Sequence, residues 1–408
     1  MSKIKILAIP SDRYGVGKFR MLDPFKFIGD NHSEDVHVDI IFNVENDDQI
    51  FDGYDIVVFH SFIHQTTHQD NVNRINWLKA KGVKVVMDID DMWFVDQRHP
   101  MYHQIKQTGM GEMKIDMLKM VDYVTTTTPI FAKTIKERLK VKNVEIFPNA
   151  VNDEEPQFQP NPIKSDKVRF GWLGGSSHLY DLELLTNGIS TTYNSFKDKV
   201  QFVLCGFDLR GNVTEVDMNT GQRRERPIKP METVWYKYEK IFTDNFNVLN
   251  PQYKSYLGTF SDVPYDDINE PYRRRWTQEV SKYALNYNTF DVSLAPLVES
   301  VFNANKSQLK VIEAGFHKKA IIASETDPYT LDLISAVDSG VINNKGNALL
   351  VNPKRNHKDW AKHMKRLVEN PNLIEDLGNR LYETVKDKFS LRKVCQDRVE
   401  FFKSIINK

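Results

Sequence analysis

Apolar residues along this chain fall into short continuous runs separated by segments of helical period. The first half carries "KIKILAIP" (3–10), "YDIVVFH" (54–60), "VKVVMDID" (83–90), "YVTTTT" (123–128) and "VEIFPNAV" (144–151), each short and β-rich. Between them Asn71–Lys81, Glu112–Val121 and Pro129–Leu139 are helix-like, and Pro129 suits the first turn of a helix. Continuous apolar strands separated by helices predict a parallel sheet covered on both faces. Residues 152–167 hold three prolines and several charges and predict an extended linker. A second series follows from Val168: "VRFGWLGG", a helix from about His178, then "VQFVLCGF", "FDVSLAPL", "AIIASE" and "NALLVN". The expected fold is α/β, with two doubly wound Rossmann-like domains facing across a cleft and ligands at the C-terminal strand ends. The expected domains are 1–151, completed by a C-terminal helix at 388–408, and 168–387. An insertion at about 207–255 lacks the strand–helix rhythm, and so long an irregular stretch predicts a functional loop or a subdomain.

Composition narrows the classes. The length of 408 residues suits two domains. The 55 basic and 55 acidic side chains cancel to a formal net charge of +0, so no global field draws the chain to nucleic acid or anionic membrane. Local basic patches and peripheral membrane contact stay open. The two cysteines, Cys205 and Cys395, lie far apart with no His or Cys cluster beside them, which suits a reducing compartment rather than a disulfide or zinc scaffold. The first apolar run has charges inside it and predicts a strand, not a signal peptide. No run is apolar enough to span a membrane, and the expected location is the cytoplasm, or a host's cytoplasm if the gene is a phage's.

Several places could carry chemistry. Gly15 and Gly17 follow the first strand and could bring backbone amides to an anion, or form a plain tight turn; Arg20 would lie in the first turn of the helix behind them, facing the cleft. Gly174, Gly175 and Ser176 end a strand just before a helix, the layout of a phosphate cradle without the lysine of a Walker loop. In "VFNANKSQLKVIEAG", a helix starting near Lys306 would project Lys306, Lys310 and Glu313 into one sector, two cations for a diphosphate and a carboxylate for a diol. An exposed Lys–Glu face is the plainer reading of the same spacing. Asp88 and Asp90 spell an Asp-x-Asp metal motif, but the flanking pattern favours Asp90 and Asp91 as acceptor or structural contacts at a strand end. His60, His64 and His68 are spaced by four, though His60 ends a strand. Arg223, Arg224, Arg226, Lys229, Trp235, Tyr236, Tyr238 and Arg273–Arg275 mix cations with rings, as a nucleic-acid surface would, or as a solvated loop and amphipathic helix would.

The segment around Lys306, with "EAGFHKKAIIAS" after it, resembles the donor-site signature of retaining glycosyltransferases of the two-Rossmann (GT-B) architecture, in the "glycosyl transferases group 1" superfamily. "DYVTTTTPIFAKTIKERLKVKNVEIFPNAV", "VRFGWLGGSSHLYDLELL" and "FSLRKVCQDRVEFFKSI" are similar to the end of that family's acceptor domain, the start of its donor domain and its last helix. The resemblance implies that Glu313 binds the ribose of the donor, that Lys306 and Ser307 meet its phosphates, and that His60 stands near its sugar. The family's first glutamate falls on Asn305, which marks a variant branch, possibly phage-type. The implied activity is retaining, metal-independent transfer of a hexose or pentose, with no cofactor and a nucleotide sugar, UDP-sugar favoured, as donor. The implied acceptor is a glycan, a lipid-linked glycan or a protein. Alternatives are a modified base in DNA, a non-catalytic nucleotide-sugar-binding protein, and a sugar epimerase.

Overall fold

The structure, a computed structural model, describes residues 3–407 apart from 43, 45–46, 65–66, 98, 100, 207–210, 217–219, 221, 245–268 and 277. Much of the 207–255 insertion therefore lies outside the described residues. The chain forms two compact units, one of Met1–Phe158, Glu299–Phe316 and Thr384–Lys408, the other of Gln159–Val298 and His317–Glu383.

The first unit holds β1 (Ile4–Ile9), β2 (Val36–Ile40), β3 (Ile56–His60), β4 (Lys84–Asp88), β5 (Tyr123–Thr126) and β6 (Val144–Ile146). They make one sheet, order β2-β1-β3-β4-β5-β6, with every pair parallel. Alternate side chains feed two cores. Leu7, Ile9, Val57, Phe59, Val85 and Met87 enter one, while Ile6, Ala8, Ile56, Val58 and Val86 enter the other. A strand buried on both faces has no room for polar alternation, which is why these runs read as continuously apolar. The helix Leu391–Ile406 supplies Val394, Val399 and Phe402 to the second core. Caps fix the helix starts. Thr67 and Asp70 exchange capping hydrogen bonds before His68–Ala80, and Thr128 accepts from the Phe131 amide ahead of Pro129–Arg138.

The second unit holds β7 (Val168–Gly174), β8 (Val200–Gly206), a hairpin of β9 (Asn212–Val216) and β10 (Arg223–Pro227), β11 (Tyr272–Trp276), β12 (Val292–Ala295), β13 (Ala320–Ser324), a small pair of β14 (Val337–Asp338) and β15 (Val341–Ile342), and β16 (Leu349–Val351). Its six-stranded sheet runs β11-β8-β7-β12-β13-β16, again all parallel. The outer strand β11 corrects the sequence reading. Its arginines were expected in a basic surface, but Arg273 and Arg274 are buried, Arg273 donating to Gln201 and Arg274 pairing with Glu239 at 3.3 Å.

Arg20 is a second correction. It lies in a π-helical turn, Lys18–Leu22, and is fully buried rather than facing a ligand. Its Nε and Nη2 donate to the two carboxylate oxygens of Asp88 at 2.9 and 2.7 Å, and Nη1 donates to the Phe147 carbonyl and to Asn149 Oδ1. Thr125 Oγ1 donates to Asp88 Oδ2 at 2.6 Å, and the Arg398 guanidinium stands 3.9 Å from the same oxygen. Burial alone would raise the Asp88 carboxyl, but Arg20, with help from Arg398, overcomes it and holds the group at about 2. Asp88→Asn would leave a buried guanidinium uncompensated. The expected loss is about 3–5 kcal/mol in urea unfolding at pH 7. The native protein should also lose stability as pH falls from about 4 towards 2, through the window between the ordinary aspartate value and the depressed one, and the variant should show less of that slope.

Candidate functional site

Beyond the C-terminal ends of β1, β3 and β4, three acidic side chains and a histidine come together. His60, the last residue of β3, is buried; its Nδ1 lies 2.8 Å from Ser11 Oγ and its Nε2 3.0 Å from Asp90 Oδ1. Ser11 in turn donates to Asp12. Burial opposes the charge on Asp90, yet the His60 hydrogen bond prevails and keeps its carboxyl below the usual range. Asp88 and Asp90 thus face different partners, Arg20 and His60, and do not form a paired metal motif. His64 and His68 go elsewhere as well, His64 to the Val44 carbonyl and His68 to Asp116. Among the described residues no group of three or more His, Cys, Asp or Glu is arranged to hold a metal.

The Gly15–Gly17 turn is closed by its own chain. Asp12 Oδ1 accepts from the amides of Tyr14 and Gly17 at 2.8 and 3.1 Å, and a Cβ at Gly17 would lie 1.8 Å from the Asp12 carbonyl oxygen. Gly17 is therefore a packing requirement, and its amide is committed to Asp12 rather than to a ligand. Gly15 has open space around it.

Asp91 follows Asp90 and keeps an exposed surface. Crowding by surrounding protein, then the charge of Asp90, pushes its carboxyl up to about 6, with Lys306, Lys114 and His60 acting in opposition. The same crowding lowers Lys114, against the pull of Asp90 and Asp91. Lys114 also lies 5.7 Å from the Trp93 ring.

Lys306 reaches this cluster from Glu299–Phe316. The expected helix does not begin at Lys306. Ser300 caps a short turn, Val301–Ala304, and a separate helix runs Leu309–Phe316. Lys306 and Ser307 sit between the two, so Lys306 does not share a helical face with Lys310 and Glu313, although those two do occupy the second helix. The intervening residues are tethered. Ser307 Oγ accepts from Asn149 Nδ2 at 2.9 Å, Asn305 Nδ2 donates to the Val301 carbonyl, and Lys306 Nζ stands 4.6 Å from the Phe302 ring centre. Asn305 is 3% exposed, and its Oδ1 has no hydrogen-bond partner among the described residues. Glu313 is buried and Lys310 half-buried.

In the second unit, Gly174 ends β7, and Gly175 and Ser176 follow it ahead of a helix of only one turn or so, Leu179–Glu183. Tyr238 closes this turn: its hydroxyl donates to the Gly175 carbonyl at 3.0 Å and accepts from the His178 amide at 2.8 Å. Asp181 accepts from His178 Nδ1 and from the Val298 amide, placing a carboxylate of the chain itself at the helix start. Tyr238 and Trp235 belong to the helix Val234–Thr243 and are buried in the core, while Arg226 is paired with Glu215 and Glu232. Two of the three rings that could have stacked on nucleic acid are therefore used internally, on the amphipathic helix that was the other reading; Tyr236 is half-buried, and Arg223 and Arg224 are exposed.

No family model and no curated protein matches the chain. Solved structures do. The sucrose-phosphate synthase of Thermosynechococcus elongatus aligns at TM-score 0.64 and 12% identity, over 99% of this chain and 100% of its own. The HepE protein of Anabaena, solved in complex with UDP and glucose, aligns at 0.60 and 12%, over 98% and 100%. A UDP-forming α,α-trehalose-phosphate synthase of Burkholderia xenovorans aligns at 0.52 and 10%, over 87% and 75%. At these identities the likeness is one of fold: two parallel six-stranded sheets with helices, the GT-B architecture.

The raised Asp91 carboxyl gives a signed pH dependence. Between about 4 and 6 the native state holds a proton that the unfolded chain has lost, so this group's contribution to stability falls as pH rises through that window. Asp91→Asn should match the native thermal midpoint below pH 4 and exceed it above pH 6, by scanning calorimetry.

Proposed function

We propose that this chain is a glycosyltransferase that moves a sugar from a nucleoside-diphosphate donor, a UDP-sugar first, to an acceptor hydroxyl. The observation that carries the reading is the tethered loop Asn305–Gln308 beside Asp91. It offers an ammonium on Lys306, a hydroxyl on Ser307 and a buried, unmatched acceptor on Asn305, just ahead of a helix that bears Lys310 and Glu313. The fold supports it, since chains of this architecture include a UDP-forming α,α-trehalose-phosphate synthase and a protein solved with UDP and glucose.

In this reading the anomeric C–O bond to the diphosphate breaks and a new C–O bond forms to the acceptor oxygen. Lys306, Lys310 and the amino end of Leu309–Phe316 bear the charge that collects on the departing diphosphate, so no metal is required. Glu313 accepts from the two ribose hydroxyls. Asn305 Oδ1 accepts from a hydroxyl of the transferred sugar, a neutral contact where the resembling family has a carboxylate. Transfer with retention, the departing phosphate taking the acceptor's proton, is the course we favour. A glycan, lipid-linked glycan or protein is the favoured acceptor class and the cytoplasm the favoured location. A DNA acceptor has little behind it, because Trp235, Tyr238, Arg273 and Arg274 are buried.

UDP release from UDP-glucose and UDP-N-acetylglucosamine tests the proposal. Lys306→Ala should lower kcat about 10²–10³-fold, the usual cost of one group that stabilises developing charge. Glu313→Gln should weaken UDP binding about tenfold, as a lost charged hydrogen bond does. If both variants bind and turn over the donor like the native protein, the assignment is wrong. Tight binding of an intact donor without turnover would instead make this a nucleotide-sugar-binding protein.

A further inference from the structure

One cavity of the first unit is not used by this reading. It has a volume of about 450 Å³, within the range of small-molecule sites, and its walls include Trp93, Phe94, Tyr102, Ile105, Val301 and Phe302. Phe94 and Val301 are each 49% exposed, so two apolar side chains of the wall face open water. Charge is confined to Asp96, Lys106 and Glu112.

Three contacts join the cavity to the candidate site. Trp93 lies two residues beyond Asp91. Phe302 carries the Lys306 ammonium against its ring, and Lys114, whose charge acts on Asp90 and Asp91, lies against the Trp93 ring. The indole is 3% exposed, and its Nε1 has no hydrogen-bond partner among the described residues. Its pyrrole edge is turned towards Gly111, also in the cavity wall, where a Cβ would come within 2.9 Å of Cδ1 and 3.2 Å of Nε1. The wall thus offers ring surface, from Phe94, Tyr102 and Phe302, with the Trp93 indole packed behind it.

We propose that this cavity is an acceptor subsite for an apolar, ring-bearing aglycone whose hydroxyl is presented to the Asp91–Lys306 end. That the ligand is an acceptor rests on the glycosyltransferase reading; its chemistry rests on the cavity and departs from the glycan, lipid-linked glycan or protein that the family resemblance favours. A bare sugar carries several hydroxyls, each needing a partner once it leaves water, and these walls supply few. A flat apolar body needs none, and stacked aromatic surface favours it.

Titration calorimetry with 2-(4-nitrophenyl)ethanol, an apolar ring bearing a free hydroxyl, and with glucose tests the subsite. The nitrophenyl compound should bind at least tenfold more tightly than glucose, and Phe94→Ala should weaken it at least fivefold with an unchanged thermal midpoint. Gly111→Ala, which crowds the indole edge, should weaken it as well. Equal binding of the two compounds, or native affinity in Phe94→Ala, would overturn the proposal. A parallel titration with UDP-glucose separates the two readings. If UDP-glucose binds and is hydrolysed while the nitrophenyl compound does not bind, the subsite alone falls. If the nitrophenyl compound binds and UDP-glucose does not, the cavity stands as an apolar-ligand site and the glycosyltransferase reading falls.

Discussion

The first unit is organised around one buried carboxylate. Asp88 ends a strand inside the sheet, wholly out of water, and that position is tolerable only because Arg20 meets both of its oxygens. A buried ion pair of this kind is a poor source of net stability, since desolvation cancels most of the attraction, but it is unforgiving about geometry. Here the geometry sets the neighbourhood. Arg20 also reaches the Phe147 carbonyl and Asn149, Asn149 donates to Ser307, and Asp90, two residues past Asp88, is placed against His60. The charged cluster at the strand ends is thus braced from below by groups that no ligand would touch.

That arrangement explains which parts of the molecule were legible from the chain. Strands buried on both faces write themselves as apolar runs, so β1, β3, β4, β5, β7, β8, β12 and β13 could be seen, and the runs "VEIFPNAV" and "NALLVN" showed the edge strands β6 and β16. The outer strands β2 and β11 could not: "VHVDI" is half-exposed, and "YRRRW" looks like a surface although its arginines are paired inside. Arg20 was misread for a related reason. A lone cation after a glycine turn looks like a ligand contact until the buried partner, 68 residues away, is known. Ser11, Asp12 and Lys114 gave no local signal, because their roles come from long-range contacts; Tyr238 was visible only as a ring beside cations, and Asn149 only as part of the "FPNA" run.

Helical spacing misled at Lys306 because a periodic pattern does not say where a helix begins. The capping Ser300 and the side-chain hydrogen bond from Asn305 to Val301 hold a separate short turn, and the helix resumes only at Leu309. A lysine on such a loop is directed by its tethers, Phe302 and the Asn149–Ser307 bond, rather than by the helix axis. The result places an ammonium beside Asp91, a carboxyl already reluctant to ionise, and cations and acids in that state respond strongly to an arriving charge.

The first unit is assembled from three stretches of chain, and the last of them, Thr384–Lys408, includes Arg398 and six side chains of its second core, Leu391, Val394, Cys395, Val399, Phe402 and Ile405. On a ribosome, the amino-terminal half would emerge with one sheet face covered only in part, by Met21, Phe25 and Ile28, and with Asp88 short of its second guanidinium. It could not close until the final helix was released, after the whole of the second unit had been made. Folding of this protein should therefore run against the usual order of synthesis, with the later-made unit complete first and the earlier one waiting for the helix Leu391–Ile406.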